Sequence, residues 1–444
     1  MNEQQTFEFN ERPTIKGFPE LRWTGKRPYR STQYFPAQLR ERYGEEQNGW
    51  INKIFWGDNL QVMSHLLKEF RGKVDLIYID PPFDSKADYK KKISLRRQTV
   101  ESDSSSFEEK QYGDIWTNDE YLQFMYERLI LMRELLSDTG SIFIHCDYRV
   151  TSYMRVILDE IFGFNQFKNE CIWQGAIGDS SAKNKKFIKS HDTIWFYSKS
   201  QTSVWNDVFQ DFSDASEKIY RNQDENGFYR LAPIDNPGGN GYKYSLGMEE
   251  KMPLNGYRMP KETALIWLEQ GILDVRPGKV PGKKIYKNEN GVRCRDVWTD
   301  LSSIQGNEHQ GYPTQKPEAL LSRIIFATTN PGDIVFDCFM GSGTTQAVAM
   351  KLGRRFIGAD INLGAIQTTT KRLISLSAEL EPVKEKQSKL ANVADNPNEK
   401  GLYFSENKAD SHYASLVAEE RGQYLSENLN SPSVATSGGG GRCI

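Results

Sequence analysis

The sequence predicts an α/β fold on a doubly wound, mostly parallel sheet, and three observations carry that expectation. Strand-like and helix-like segments alternate between residues 50 and 200, a rhythm that puts helices on both faces of a parallel sheet. A strand, a glycine loop and a helix follow one another from Asp333 to Leu352. Two apolar runs end on acids, Val74–Ile79 at Asp80 and Phe356–Ala359 at Asp360, and open α/β sheets bind ligands at the carboxyl ends of their strands.

Along the chain, residues 1–48 form an arm rich in proline, arginine and aromatic residues, with few strand or helix signals. Lys26, Arg27, Arg30 and Arg40 alternate there with Trp23, Tyr29, Tyr34 and Phe35, a mixture suited to phosphate contacts and stacking, or to a solvated loop. A strand at 53–56 leads through Gly57-Asp58 to a helix at 59–70, with Asp58 in the capping position. The run Val74–Ile79 is rich in β-branched and aromatic side chains, and Pro81 and Pro82 stop it because neither can donate to a sheet ladder. A helix at 119–136 opens on a capping box, Thr117 with Glu120. The hydrophilic stretch Lys86–Asp114 before it is either a lid beside the turn or plain disorder. Strands at Ser141–Cys146 and Thr193–Tyr197 belong to a half-domain at 49–200. Residues 201–304 break the rhythm with the glycine-rich Asp235–Tyr242 and short strand-like pieces such as Gly282–Tyr286, and Trp298-Thr299-Asp300 marks the return to the core. Alternation resumes at 305–376. Past 376 the periodicity fades, so 377–444 is expected to be a variable, partly disordered tail.

The loop Asp337-Cys338-Phe339-Met340-Gly341-Ser342-Gly343-Thr344-Thr345 lets backbone approach a ligand closely, and Thr344 or Thr345 can cap the helix whose amides then face it. A phosphate loop would need glycine at Cys338 and lysine at Thr344; a dinucleotide fingerprint would need glycine at Gln346. Both patterns fail. Asp360 ends the next strand, where an acid usually grips ribose hydroxyls, so the expected ligand is an adenosine compound without phosphate. At the other strand end, Asp80-Pro81-Pro82-Phe83 presents a carboxylate, a stiff turn and an aromatic face that could clamp a flat polar group. Taken alone, the tetrapeptide reads equally as an ordinary strand-ending turn.

These residues resemble a known family. Asp80-Pro81-Pro82-Phe83 is similar to the D-P-P-F/Y catalytic motif of amino-directed, S-adenosylmethionine-dependent DNA methyltransferases, and Phe339–Gly343 to their F-x-G-x-G cofactor motif. Thr314-Gln315-Lys316-Pro317 resembles their T-Q-K-P-x-x-L element. Catalytic motif first, cofactor motif second and a long insert between them resembles the circularly permuted β-class order, which includes modification subunits of type III restriction systems. The resemblance implies a Rossmann-like methyltransferase fold with 201–304 as an inserted target-recognition domain, acting on double-stranded DNA. It implies S-adenosylmethionine as cofactor, with Asp58 at the adenine amino group and Asp360 at the ribose. Phe339 and Gly341 would flank the methionine part, with Thr314, Gln315 and Lys316 near its carboxylate, and Asp337, Ser342, Gly343 and Thr344 would also contact the cofactor. Two plainer readings stay open, Asp58 as a helix cap and Lys316 as a solvated charge before a helix starting at Pro317. The Asp80 carboxylate and the Pro81 carbonyl would accept hydrogen bonds from the target amine on the turn stiffened by Pro82, with Phe83 stacked on a flipped base. The acid in D-P-P-F resembles adenine-N6 enzymes, whereas cytosine-N4 enzymes more often carry serine there. Cytosine-N4 methylation, methylation of structured RNA and an inactive DNA-binding partner subunit stay open as alternatives. A restriction or other defence-system subunit and a second copy of the chain are the further partners implied.

Composition bounds these expectations. With 444 residues and 38% hydrophobic content, the chain can bury the cores of two domains. A net charge of −2 is a weak global fit to DNA binding, yet basic residues cluster at Arg22–Arg42, Lys183–Lys189 and Lys279–Arg295, and acids at Glu101–Glu109. No apolar stretch approaches the roughly 18–20 residues of a membrane span, and no leader-like segment opens the chain, so a soluble, cytoplasmic protein is expected. The five cysteines lack C-x-x-C spacing, which argues against a zinc site, and none follows a proline as a cytosine-C5 nucleophile typically would.

Overall fold

The structure is a computed structural model that describes residues 4–10, 17, 19–82, 91–95, 98–102, 118–175, 187–301, 304, 308–312, 314–394 and 434–438. The chain divides into two compact units, one of residues 1–206 with 295–444, the other Asp207–Cys294.

The larger unit is built on strands β1 (Asn52–Trp56), β2 (Val74–Ile79), β3 (Leu136–Cys146), β4 (Phe167–Trp173), β5 (Asp192–Ser198), β6 (Ile334–Asp337) and β7 (Arg355–Asp360). With three short flanking strands they form one sheet in the order Val297–Trp298, β4, β5, β3, β2, β6, β7, β1, Val434–Gly438, Leu39–Tyr43. The five central strands β3, β2, β6, β7 and β1 are parallel, whereas on one flank β5 pairs antiparallel with both β3 and β4. Leu76, Ile77, Tyr78 and Ile79 are all buried, the continuous apolar run expected of a strand covered on both faces.

Among the described residues, six helices cover the sheet: α1 (Asn59–Phe70), α2 (Asn118–Leu135), α3 (Thr151–Phe162), α4 (Glu318–Thr328), α5 (Thr344–Lys351) and α6 (Leu363–Ala394). Strand side chains alternate between faces, so each strand feeds two cores. Ile77, Ile79, Ile142 and Ile144 pack with α1, α2 and α3. Leu76, Tyr78, Phe143 and Val335 pack with α4, α5 and α6. The helix that follows β2 therefore lies on one face and the helix that follows β6 on the other. The crevice between these neighbouring strands is the topological switch point, where such sheets bind ligands.

Several sequence expectations change here. Two cations of the N-terminal arm pair with acids of the core: Lys26 Nζ donates to both carboxylate oxygens of Glu160 at 2.9 Å, and to Leu21 O of the arm at 2.8 Å. Arg27 pairs with Glu127 at 2.9 Å, and the Trp23 ring packs edge-on against Tyr126 at 5.7 Å. The helix starting at Leu363 continues to Ala394, past the boundary at 376, and Val434–Gly438 from the expected tail pairs with β1. Within the stretch read as a lid, Lys91–Leu95 pairs with Gln98–Ser102; Lys86–Lys90, Thr117 and Lys183–Lys186 lie outside the described residues.

The smaller unit carries a four-stranded antiparallel sheet of Asn222–Asp224, Gly227–Pro233, Gly282–Tyr286 and Leu273–Asp274. Its core gathers Ile234, Tyr257, Met259, Ala264 and Leu273, with Tyr244 stacked on Tyr257 at 4.5 Å. Among the described residues, no helix is long and apolar enough to cross a membrane.

Ile77 is fully buried and faces Phe336 across the ladder that joins β2 to β6. Truncation to alanine, Ile77→Ala, is expected to cost about 2–5 kcal/mol, read as a lower urea midpoint. A loss below about 1 kcal/mol would mean that this seam is not a packed core.

Candidate active site

Asp80 leaves the end of β2, followed by Pro81, which is buried, and Pro82, which is half-buried; Phe83 lies outside the described residues. The Asp80 carboxylate is not open on both oxygens. Lys316 Nζ donates to its Oδ2, and the two side chains are 18% and 19% exposed. Lysine in the T-Q-K-P element thus meets the acid of the other motif, where the sequence resemblance placed it by the cofactor carboxylate. Thr314 is exposed. Gln315 is buried and spends its amide on its own loop, donating to Glu308 O at 2.7 Å and accepting from Gln310 N at 2.8 Å. Tyr312, in the same segment, lies against the glycine loop, since a Cβ on Gly341 would stand 3.3 Å from its Cε1.

Asp337 ends β6, one strand over. Its carboxyl is buried, accepting from Phe339 N at 2.9 Å through Oδ1 and from the Thr345 hydroxyl at 2.6 Å through Oδ2. Burial pushes the Asp337 carboxyl up to about 7 against these two hydrogen bonds, and the nearby charges of Asp80 and Asp360 push the same way. The expected threonine cap on α5 is absent. Gly343 occupies the N-cap position at φ 73°, Thr344 is the first helical residue, and Thr345 turns to the buried acid, which needs a donor more than the helix end does. Asp360 ends β7 and pins the loop, accepting from Gly341 N and from Asn362 N, both at 2.8 Å. From α6, Thr369 Oγ1 donates to Gly341 O at 2.9 Å, and Arg372 donates to Ser342 O and Thr344 Oγ1, both at 3.1 Å.

Asp58 takes the capping role. Its Oδ1 accepts from Leu60 N at 2.9 Å and Gln61 N at 3.3 Å, and its Oδ2 accepts from Arg128 at 2.9 Å. Arg128 also donates to Asn59 and lies 3.3 Å above the Phe124 ring, which is 6.3 Å from Phe339. Asn59 in turn donates to Cys338 O at 3.3 Å. Asp58 therefore reaches the glycine loop through Arg128 and Asn59. Sequence reading missed Asn59, Phe124, Arg128, Tyr312, Thr369 and Arg372. For Arg128 a signal existed: it sits four residues after Phe124 among the apolar residues of α2, where an unpaired guanidinium would not be tolerated.

Asp80, Asp337 and Asp360 thus end neighbouring strands and interact electrostatically, and the glycine loop between them carries no lysine. Such an edge suits a cationic adenosine compound and disfavours a polyphosphate, and the sulfonium of S-adenosylmethionine meets that requirement. Fold and site define a methyltransferase that uses this cofactor.

A family model described as DNA methylase, of the N6/N4 type, matches residues 74–371. The chain is 32% identical to type II methyltransferase M.EcaI of Enterobacter cloacae over 335 residues, 72% of this chain and 69% of that one. It is 25% identical to the type III restriction-modification enzyme EcoP15I Mod subunit of Escherichia coli over 403 residues, 76% of this chain and 62% of that one. A 91-residue segment, 20% of this chain and 31% of the other, is 52% identical to DNA adenine methyltransferase YhdJ of Escherichia coli K12. The chain belongs to this DNA methylase family.

Two expectations follow from the loop. The folded Asp337 carboxyl, at about 7, holds its proton more tightly than the unfolded chain at 3.8, so its contribution favours folding below the lower value and is lost as pH rises through the upper one. Asp337→Asn should remove that loss, on the order of a few kcal/mol, and flatten the fall of the melting temperature between about pH 4 and 7. Parallel melting curves for the two proteins would exclude it. Gly343 and Gly353 share φ 73°, but a Cβ at Gly343 would stand 2.4 Å from Thr369 Cγ2 whereas Gly353 faces open space. Both alanine variants should carry the backbone strain of about 1–2 kcal/mol, and only Gly343→Ala should also weaken S-adenosylmethionine binding, by more than about tenfold in calorimetry.

Proposed function

We propose that the chain transfers a methyl group from S-adenosylmethionine to the N6 amino group of adenine in duplex DNA at a defined sequence, as the modification component of a restriction or other defence system. The observation that carries this reading is the position of Asp80 and the Asp337 loop at the ends of two adjacent parallel strands. When bound, S-adenosylmethionine supplies a methyl group already activated by its sulfonium, so the chain's task is to place the acceptor. An exocyclic amine is a poor nucleophile because its lone pair is delocalised into the ring. Asp80 and the Pro81 carbonyl accept its two hydrogens, turn the lone pair out of conjugation and aim it across the seam. Asp80 also stabilises the positive charge that grows on nitrogen as the new bond forms, and the extra proton leaves to solvent. Positioning and electrostatic effects of this kind are each worth on the order of several kcal/mol in a water-poor site.

Asp360 would hold the ribose and the loop from Asp337 to Thr344 the methionine part. A stacked base cannot reach such an edge, so the duplex must release it at a cost of roughly a few kcal/mol. We assign sequence reading to the Asp207–Cys294 unit. An acid at position 80 favours adenine over cytosine, and so does the name of the YhdJ relative. The EcoP15I relative is a Mod subunit of a restriction-modification enzyme, which supports the proposed setting.

Asp80→Ala should keep its affinity for S-adenosylmethionine while methyl incorporation into DNA falls by orders of magnitude. Mass spectrometry of nucleosides from the methylated DNA should find N6-methyladenine. N4-methylcytosine in its place would refute the base assignment, and an unimpaired Asp80→Ala enzyme would refute the mechanism.

A further inference from the structure

We infer that Lys316 is a positioning residue that acts through Asp80 and couples the acceptor carboxylate to the cofactor loop; the inference rests on the reading of Asp80 as the amine acceptor. The ammonium of Lys316 holds Asp80 Oδ2 and leaves Oδ1 for an incoming amine. The last torsion of an aspartate is broad when nothing restrains it, so one held oxygen sets the plane in which the other is offered. With each side chain about four-fifths buried, the pair is screened less than a surface salt bridge.

The anchorage of Lys316 gives the contact its second role. On its N-terminal side Tyr312 packs against Gly341, and the buried Gln315 is locked to Glu308 and Gln310. On its C-terminal side Pro317 opens α4, and Glu318 accepts from Arg372 at 2.8 Å. The same guanidinium donates to Ser342 O and Thr344 Oγ1 of the cofactor loop. Lys316 is thus fixed between two attachments to the loop, while its ammonium reaches an acid 236 residues earlier in the chain. Any adjustment of the loop around its ligand is transmitted to the plane of the Asp80 carboxylate. A lysine serving the cofactor carboxylate would instead act on cofactor affinity.

The test compares full-length wild type, Lys316→Met, Lys316→Arg and Asp80→Ala, using unmethylated genomic DNA and S-adenosylmethionine, with turnover measured at saturation and cofactor affinity by calorimetry. Lys316→Met should lose on the order of 100-fold in kcat while its cofactor Kd stays within about twofold, which also shows that the variant is folded. Lys316→Arg should recover at least about tenfold of that loss, since a guanidinium can still hold one carboxylate oxygen. A raised cofactor Kd with kcat retained would assign Lys316 to the cofactor and overturn the inference. Unchanged values for both, or no recovery with arginine, would overturn it as well. Asp80→Ala separates the two claims: full activity there removes the acceptor reading itself, whereas an inactive Asp80→Ala beside a fully active Lys316→Met removes only the role given to Lys316.

Discussion

The architecture depends on one insertion: β6 and β7, from late in the chain, wedge between β2 and β1, from its first eighty residues. After β1 and α1 the chain skips two strand positions before laying down β2, and the gap is filled only after Cys294. Side chains from the early half seal both seams. Asp75 Oδ2 accepts the Ile334 amide at 2.9 Å, and the fully buried Asn52 Oδ1 accepts the Phe356 amide at the same distance. These two acceptors take up amides of the incoming strands and fix their register. The ladder that closes the core is then the same ladder that sets Asp80 beside Asp337.

This arrangement concentrates like charge. Three acids stand at the ends of β2, β6 and β7, and at the buried Asp337 the charges of Asp80 and Asp360 add to the burial that raises its proton affinity. A site of this kind is destabilising for the empty fold and favourable for a cationic ligand, which gains what the empty fold lacks. Ligand-free stability is given up locally so that binding energy can appear there, a common pattern at functional sites. Lys316 pairs with the Asp80 carboxylate and so offsets one of the three charges.

The elements legible in the sequence were those whose signal is local and strong. The strand Val74–Ile79 is apolar on both faces and ended by two prolines, and the helix at 118–135 came within a residue of its expected position, although its expected cap at Thr117 lies outside the described residues. The acids Asp80, Asp337 and Asp360 were found because strand ends and glycine loops mark themselves. What escaped depends on distant partners. Phe167–Trp173 is an outer, half-polar strand whose pairing comes from Asp192–Ser198. The arm's cations read as phosphate contacts or a solvated loop because nothing near Lys26 and Arg27 announces Glu160 or Glu127. Lys316 and Asp80 carry no mutual signal at a separation of 236 residues, and Arg128 is explained only once Asp58, Asn59 and Phe124 are seen around it.

The proposed chemistry and the proposed sequence reading fall in different parts of this topology, and the sheet explains why the two parts can vary separately. Asp80 and Asp337 stand on the central seam, at the ends of strands packed from both faces, with the glycine loop braced by Thr369 and Arg372 of one helix. The Asp207–Cys294 unit, by contrast, leaves the larger unit after β5 and returns at Val297–Trp298 beside β4, both on the antiparallel flank. Changes in length or composition between those two points leave the β2–β6 ladder untouched, because none of its amides or carbonyls comes from that flank. A new surface on that unit can thus be accommodated without moving Asp80 relative to the glycine loop.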